Sequence, residues 1–506
     1  MDNKTLLAIV LSLAVIIGYQ FFAAQQAPPP VERVEKSQEP LKAQAPAAVV
    51  PEGEFVPSAG EKEIRVENQL YSAVLSTRGG TIKYWEIKAY KDKIGKEVIL
   101  LKPPTALPAL GIGESPEFNY SHVNFSASGQ NLSLYDAGES GSIVFQYSQN
   151  GVSIRRTYTF YSDTYKVDLT DEVSGLPEYW ITLGSDFGIF EKEDGYTHVG
   201  PVLLHGTDLE ELKEKKLAEP KIFRENLKWI GQEDKYFFSG LVPETKVEEA
   251  RAWIYENSSV IAFKAAPGVH TFHLYAGPKE HDRLESLNLG LEHIIDFGFF
   301  SIIARPLFWV LKFFYSFLGN YGWAIIFLTI VVRIPFIPLV NKGQKSMKRL
   351  QELQPKMSEI KEKYKKDPQK MQKEMMDLYK KHKVSPMGGC LPMVLQIPVF
   401  FALYKVLLIS IELRGAPFML WITDLSAKDP YYILPVIMGV TMVIQQKMTP
   451  TSMDPKQAKI MMFMPIIFTF MFLNFASGLV LYWMVNNLLS IVQQFFVNRK
   501  LARQQA

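Results

Sequence analysis

One cysteine, Cys390, stands in 506 residues. No intramolecular disulfide is possible, and any part outside the reducing compartment must be held by its own core. Cys390 lies in an apolar stretch and reads as a small packing residue. The chain also lacks a G-x-x-x-x-G-K-[ST] loop, an H-E-x-x-H helix and a G-x-S-x-G elbow. Nothing points to nucleotide hydrolysis or metal chemistry, and no cofactor is expected. A net charge of +3 is too small to suggest a nucleic-acid binder as a whole.

What is present divides into unlike halves. Residues 5–22 are an apolar helix just long enough to span a bilayer, so 1–24 reads as an anchor. Ala23-Ala24 leaves a removed signal peptide as the alternative. Residues 25–60 are rich in Pro, Ala, Glu and Gln and form a tether with too little apolar surface to offset chain entropy. Residues 61–285 read as an all-β domain. Val152, Ile154, Tyr158 and Phe160 alternate onto one face, and 165–173 and 269–276 behave similarly. Gly and Pro clusters punctuate the strands, which suits a large antiparallel sandwich. A short helical insertion is expected over 203–217.

Residues 286–305 are expected to form an interfacial amphipathic helix, with Leu291, Ile294, Ile295 and Phe299 in register. Packing against the β domain is the alternative. A five-helix core, 306–498, follows, with spans near 311–340, 387–411, 431–447, 460–475 and 477–497. Several are shorter than the ~20 residues a span prefers, and prolines interrupt them. Between the first two spans, 341–385 carries fourteen Lys and Arg. The positive-inside rule puts that segment in the cytoplasm, together with Lys447 and the short basic tail 499–506. Six spans then leave both termini inside and the β domain outside.

Arg333 lies within the first apolar run of that core. Its guanidinium cannot lose its charge, and burying it in lipid costs at least ~2.5 kcal/mol. Lys342, the next charge, is about 13 Å further on at helical rise. Two readings stand: a hydrated cavity, or snorkelling to the headgroups. Thr329 is one turn earlier on the same face, and Gln396, Asn487 and Gln445 lie inside other spans. Singly, each suits an interhelical hydrogen bond. Together they suggest a hydrated pocket open to the cytoplasm. No Asp or Glu lies at that depth, so the partner of Arg333 is expected to be water, a carbonyl or something that arrives. Lys405 is close enough to its span end to snorkel.

The cytoplasmic segment is itself periodic. Met347, Leu350, Leu353, Met357, Ile360 and Tyr364 recur at threes and fours. Asp367-Pro368 restarts a helix that returns through Met371, Met375 and Leu378. This is a helical hairpin. It serves either as a solvated spacer or as a recruiting surface. In the second case pliable methionines and basic residues such as Arg349 and Lys365 would contact an apolar segment, ribosomal RNA or anionic lipid.

Several stretches carry a resemblance. They are Tyr321-Gly322-Trp323 through Arg333, Ser385-Pro386-Met387-Gly388-Gly389-Cys390, Ala416-Pro417-Phe418, Asp429-Pro430-Tyr431-Tyr432-Ile433-Leu434-Pro435 and Ser477-Gly478-Leu479-Val480-Leu481-Tyr482-Trp483. Together they resemble the YidC/Oxa/Alb family of membrane-protein insertases. Thr77-Arg78-Gly79-Gly80 and Tyr275-Ala276-Gly277-Pro278 are similar to its Gram-negative branch.

The resemblance implies a polytopic α-helical membrane protein of the inner membrane: an N-terminal anchor, a five-helix insertase core with a hydrophilic groove, a periplasmic β-supersandwich similar to sugar mutarotases, and the hairpin. It places Arg333, Thr329 and Gln396 in the groove. Trp483 falls where many relatives carry a tyrosine, keeping an aromatic but losing a hydroxyl. Lys405 replaces a commoner aromatic. The implied partners are nascent membrane proteins, the Sec translocon, the ribosome or signal-recognition targeting pathway, and membrane lipids, with no small-molecule substrate. The rival from the residues themselves is a membrane-anchored epimerase. It would use His122, His198, His205, His270 and His273, whose spacing forms no recognisable constellation. A transporter would require inverted repeats, and none is convincing.

Overall fold

The computed structural model describes residues 60–92, 94–191, 197–382, 384, 391–449 and 455–503. The expected anchor, all of the tether before Gly60, the Ser385–Cys390 motif and the end of the tail lie outside them.

The β-rich part contains one nine-stranded sheet and two five-stranded sheets. Strands Val152–Tyr161, Lys166–Ser174 and Val269–Pro278 lie side by side and antiparallel, with Leu169 opposite both Tyr158 and Phe272. Ile154, Tyr158, Phe160, Val167, Leu169, Phe272 and Leu274 all point into one core, as period-two alternation requires. Strand neighbours are antiparallel except that Glu63–Asn68 runs parallel to Leu132–Leu134.

The helical insertion expected over 203–217 does not form. Gly200–His205 and Asp208–Glu211 make a hairpin, and only Glu214–Lys216 turns as a 3-10 helix. Pro201–Leu204 are all buried, and a short continuous apolar run has no periodicity that separates a covered strand from a helix.

The Thr77–Gly80 motif is a buried clamp. A Cβ on Gly79, whose φ is +71°, would lie 2.7 Å from the Ser121 backbone. Arg156, fully buried, donates to the carbonyls of Gly79, Gly80 and Leu110 at 3.1, 3.3 and 2.7 Å. Its remaining donors meet both oxygens of buried Asp171 at 2.9 and 3.1 Å. A buried charge is tolerable on these terms, paired and with its donors satisfied.

Ten α-helices follow among the described residues: α1 His281–Ser286, α2 Ser301–Leu318, α3 Tyr321–Arg333, α4 Ile337–Glu352, α5 Gln354–Lys363, α6 Pro368–Lys381, α7 Leu391–Ile409, α8 Ile433–Met448, α9 Pro455–Phe472 and α10 Ser477–Arg503. The continuous helix expected near 286–305 is absent. Leu291–Ile294 and Gly298–Phe300 are separate 3-10 turns. Leu291 and Ile294 enter the β core, and Asp296 Oδ1 accepts from the Gly298 N–H at 2.8 Å, an Asx turn that stops a helix. The first long helix is α2, apolar on both its buried and its exposed faces. It buries Ala304, Leu307, Phe308 and Leu311 and leaves Ile302, Trp309 and Phe317 exposed.

The expected single span 311–340 is also divided. Gly319 ends α2 in the left-handed region at φ +60°, and Asn320 caps α3 by accepting from the Trp323 N–H at 3.2 Å. The Asn320 amide also donates to the Pro417 and Phe418 carbonyls at 3.1 and 3.0 Å. A Cβ on Gly322 would lie 2.0 Å from the Phe418 ring. Thus the Tyr321-Gly322-Trp323 and Ala416-Pro417-Phe418 motifs are two sides of one contact.

After Arg333 a 3-10 turn, Ile334–Phe336, carries the chain into α4. Helices α3, α7, α8 and α10 share a second core, separate from that of the sheets. The hairpin has its own small core of Leu350, Leu353, Met357 and Val384, with Met347, Met375 and Leu378 packed around it. Asp367 Oδ1 accepts from the Lys370 N–H at 3.1 Å, so the expected restart at Asp367-Pro368 is an N-cap.

Candidate functional site

Arg333 is the last residue of α3, where Pro335 and Pro338 interrupt the α-helical ladder. Its half-buried side chain crosses to α10. Nη1 donates to the Asn486 carbonyl at 3.1 Å and to Asn486 Oδ1 at 2.6 Å. Nη2 donates to Ser490 Oγ at 2.8 Å and Gln493 Oε1 at 3.1 Å. Nε is buried without a partner. Gln493 is a bridge: its amide nitrogen donates to Asn341 Oδ1 at 2.8 Å and to the Ile337 carbonyl at 3.3 Å, both on α4.

The expected carbonyl partner is present, supplemented by three neutral side chains that the sequence reading did not assign. Among the described residues no carboxylate pairs with Arg333, so its charge is solvated by dipoles and not neutralised. A cation held by preoriented neutral acceptors in a partly dry setting keeps its attraction for an anion.

Tyr482, Asn486, Ser490 and Gln493 follow one another at helical spacing on a single face of α10. That stripe is about 17 Å long at helical rise. Gln396, on α7, joins its upper end by donating to the Tyr482 hydroxyl at 2.9 Å. A second stripe of α10 faces α8. Asn487 donates to Thr441 Oγ1 at 3.3 Å, and Gln494 donates to the Met448 carbonyl at 2.5 Å. The doublets Asn486-Asn487 and Gln493-Gln494, seven apart in an apolar helix, were the available signal for both stripes.

The remaining assigned residues are placed differently. Thr329 is buried and returns its hydroxyl to the Ile325 carbonyl at 2.6 Å, so it is satisfied within α3. Asn487 belongs to the second stripe and not to the Arg333 cluster. Gln445 is half-buried near the end of α8. Trp483 packs on Phe400, Phe468 and Phe472 with ring centroids 4.9, 6.0 and 5.2 Å away. The hydroxyl in this part of α10 is supplied instead by Tyr482. In the hairpin, Met357 is buried, Met347, Met371 and Met375 are half-buried, and Arg349 and Lys365 are exposed. Met376, which the periodicity passed over, is the exposed methionine there.

The histidines do not converge. His198 contacts the Pro201 carbonyl, His270 lies between Thr245 and the Ala266 carbonyl, and His273 meets Asp168 at 2.6 Å. His205 packs beside Phe223.

Gly298–Leu318, Tyr321–Glu352 and Ser477–Arg499 are long and apolar enough to cross a membrane, and Val394–Ile409, Ile433–Met448 and Met462–Phe472 are shorter apolar helices. The family described as 60Kd inner membrane protein matches residues 313–504, and that described as YidC periplasmic domain matches residues 63–310. The Membrane protein insertase YidC of Syntrophus aciditrophicus is 42% identical over 549 aligned positions, covering 99% of this chain and 100% of its own. That of Geotalea daltonii is 42% identical over 534, with the same coverages. A crystal structure described as an active YidC insertase with the first transmembrane domain resolved covers 87% of this chain and 93% of its own, with 19% identity and a TM-score of 0.40.

Proposed function

From the premise that the chain belongs to the YidC family of membrane protein insertases, we propose that it inserts and folds nascent transmembrane segments in the inner membrane without hydrolysing nucleotide. The observation that carries this reading is the uncompensated Arg333, held by Asn486, Ser490 and Gln493. Such a charge in a membrane-spanning bundle lines a watery path or awaits a partner.

The α10 stripe and Gln396 form the wall of a hydrophilic groove open to the cytoplasm. Thr329, Asn487, Trp483 and Gln445 shape its surroundings. The acidic or polar outer segment of a client enters, and Arg333 attracts its carboxylates or carbonyls. The client's apolar helix then leaves sideways into lipid, where each buried CH₂ yields about 0.8 kcal/mol. The membrane potential contributes about 2.3 kcal/mol per charge per 100 mV to drawing an acidic segment outward. Helix α8 has 16 residues, or roughly 24 Å against a hydrocarbon core of about 30 Å. A thinned bilayer there shortens the crossing further.

The β-rich part is periplasmic and both termini are cytoplasmic. Helix α2, bearing Arg305 and Lys312 beside its apolar face, takes the interfacial role expected for 286–305. The hairpin recruits clients, ribosome or targeting factors through Arg349, Lys365 and its methionines. The protein works alone or beside the Sec translocon and is not an enzyme.

The test is complementation of a depletion strain with Arg333→Ala and Arg333→Lys, reading insertion of single-span clients. Ala is expected to fail with acidic clients. Lys, a point charge unable to span all four acceptors, is expected to retain partial activity. Full activity of Ala with every client rejects the role.

A further inference from the structure

A cavity of about 860 Å³ lies between the β-rich part and the ends of α7 and α10 that face it. That volume suits one elongated small ligand. Tyr404, Leu407 and Leu408 of α7 and Leu479 of α10 form an apolar wall continuous with the spanning bundle. Lys91, Lys235, Arg414 and Lys428 also line the cavity.

Three carboxylates also line it. Asp92 accepts from the Ile94 and Lys96 N–H groups, and Asp424 accepts from the N–H and hydroxyl of Ser426. Glu191 is the third.

Arg414 is held against the β-rich part. Its guanidinium lies 5.5, 5.6 and 5.0 Å from the ring centres of Phe190, Tyr236 and Phe237. Three aromatic faces fix its orientation. Its Nη1 is nevertheless buried without a hydrogen-bond partner. An unmet donor on a preoriented guanidinium costs free energy, and an incoming acceptor recovers it once the side chains enclosing Nη1 give way. A phosphate oxygen is the acceptor such a fork suits best.

We propose that this cavity binds a glycerophospholipid from the outer leaflet. Its phosphate is held by Arg414 and Lys428, and its acyl chains lie along Leu407, Leu408 and Leu479. The lipid then joins the β-rich part to the bundle. The apolar wall favours a lipid over a free anion, and the cationic residues favour a phosphate-bearing lipid over a neutral one.

The test uses the full chain purified in detergent. Retention of dioleoylphosphatidylglycerol is measured by native mass spectrometry, with dioleoylglycerol and inorganic phosphate as comparison ligands and Tm recorded for each variant. The parent is expected to retain the phospholipid selectively. Arg414→Gln and Lys428→Gln are each expected to weaken it about tenfold, as loss of a charge-assisted hydrogen bond does. Lys428→Gln leaves the Arg414 aromatic contacts in place, so its Tm is expected to match the parent. Unchanged retention in both variants, equal retention of dioleoylglycerol, or displacement of the phospholipid by inorganic phosphate overturns the proposal. So does a loss confined to Arg414→Gln and accompanied by a lowered Tm, which reads as separation of the two parts.

Discussion

Gln493→Glu changes one atom of the Arg333 cluster and neutralises its charge. The amide oxygen that accepts from Arg333 Nη2 at 3.1 Å becomes a carboxylate oxygen. At an effective dielectric constant near 20 the gross attraction is about 4–5 kcal/mol. Desolvating the new anion offsets part of that. Losing the donor to Asn341 and Ile337 costs about 1 kcal/mol for each bond. A net gain of about 2 kcal/mol for the resident pair remains, and a client carboxylate must displace it.

Capture of acidic clients should therefore fall roughly thirtyfold, at 1.4 kcal/mol per factor of ten. Clients with neutral outer segments should be spared. The assay is site-specific photo-crosslinking from position 396 to stalled nascent chains, one carrying acidic residues before its span and one carrying their amides. Thermal unfolding of the variant should move slightly upward, because the pair gained outweighs the bonds lost. If the acidic client crosslinks at the parental level, Arg333 does not act by attracting carboxylates, and its four bonds to α10 serve only to hold α3 in place.

Two predictions concern the β-rich part. Arg156→Met strands the buried Asp171 carboxylate and the Gly79, Gly80 and Leu110 carbonyls. It should lower stability by about 3–5 kcal/mol, read as Tm and protease resistance of the full chain, and Arg156→Met with Asp171→Leu should recover much of it. Asp168 gives a pH signature. Burial raises its carboxyl, but hydrogen bonds from His273, Tyr161 and Lys166 outweigh this and hold it at about 2, below the ordinary 3.8. A depressed acid contributes stability that is present above 3.8 and lost as pH falls through 2. Asp168→Asn should thus cost about 2 kcal/mol near neutrality, with the gap to the parent closing between pH 4 and 2 in thermal unfolding scans.

The amino-acid sequence by itself determined the order of parts. Period-two alternation in 152–160, the Lys-rich interruption and the Asp367-Pro368 restart are local quantities with counterparts among the described residues, whereas the apolar runs marked the spans only in outline: 311–340 is divided, and the anchor lies outside those residues. Arg333 was legible as well, because an ionised group in an apolar run is anomalous without knowledge of any neighbour. What it touches was not. Asn486, Ser490 and Gln493 lie some 150 residues away and become its partners only when α10 packs on α3.

The tertiary structure likewise decided that Leu291 and Ile294 enter the β core, that 200–211 is a hairpin, and that Met357 stitches the 341–385 hairpin from inside. In each case several local conformations were close in energy. Burial against a distant element, worth roughly 1.5–3 kcal/mol per large apolar side chain, selected among them.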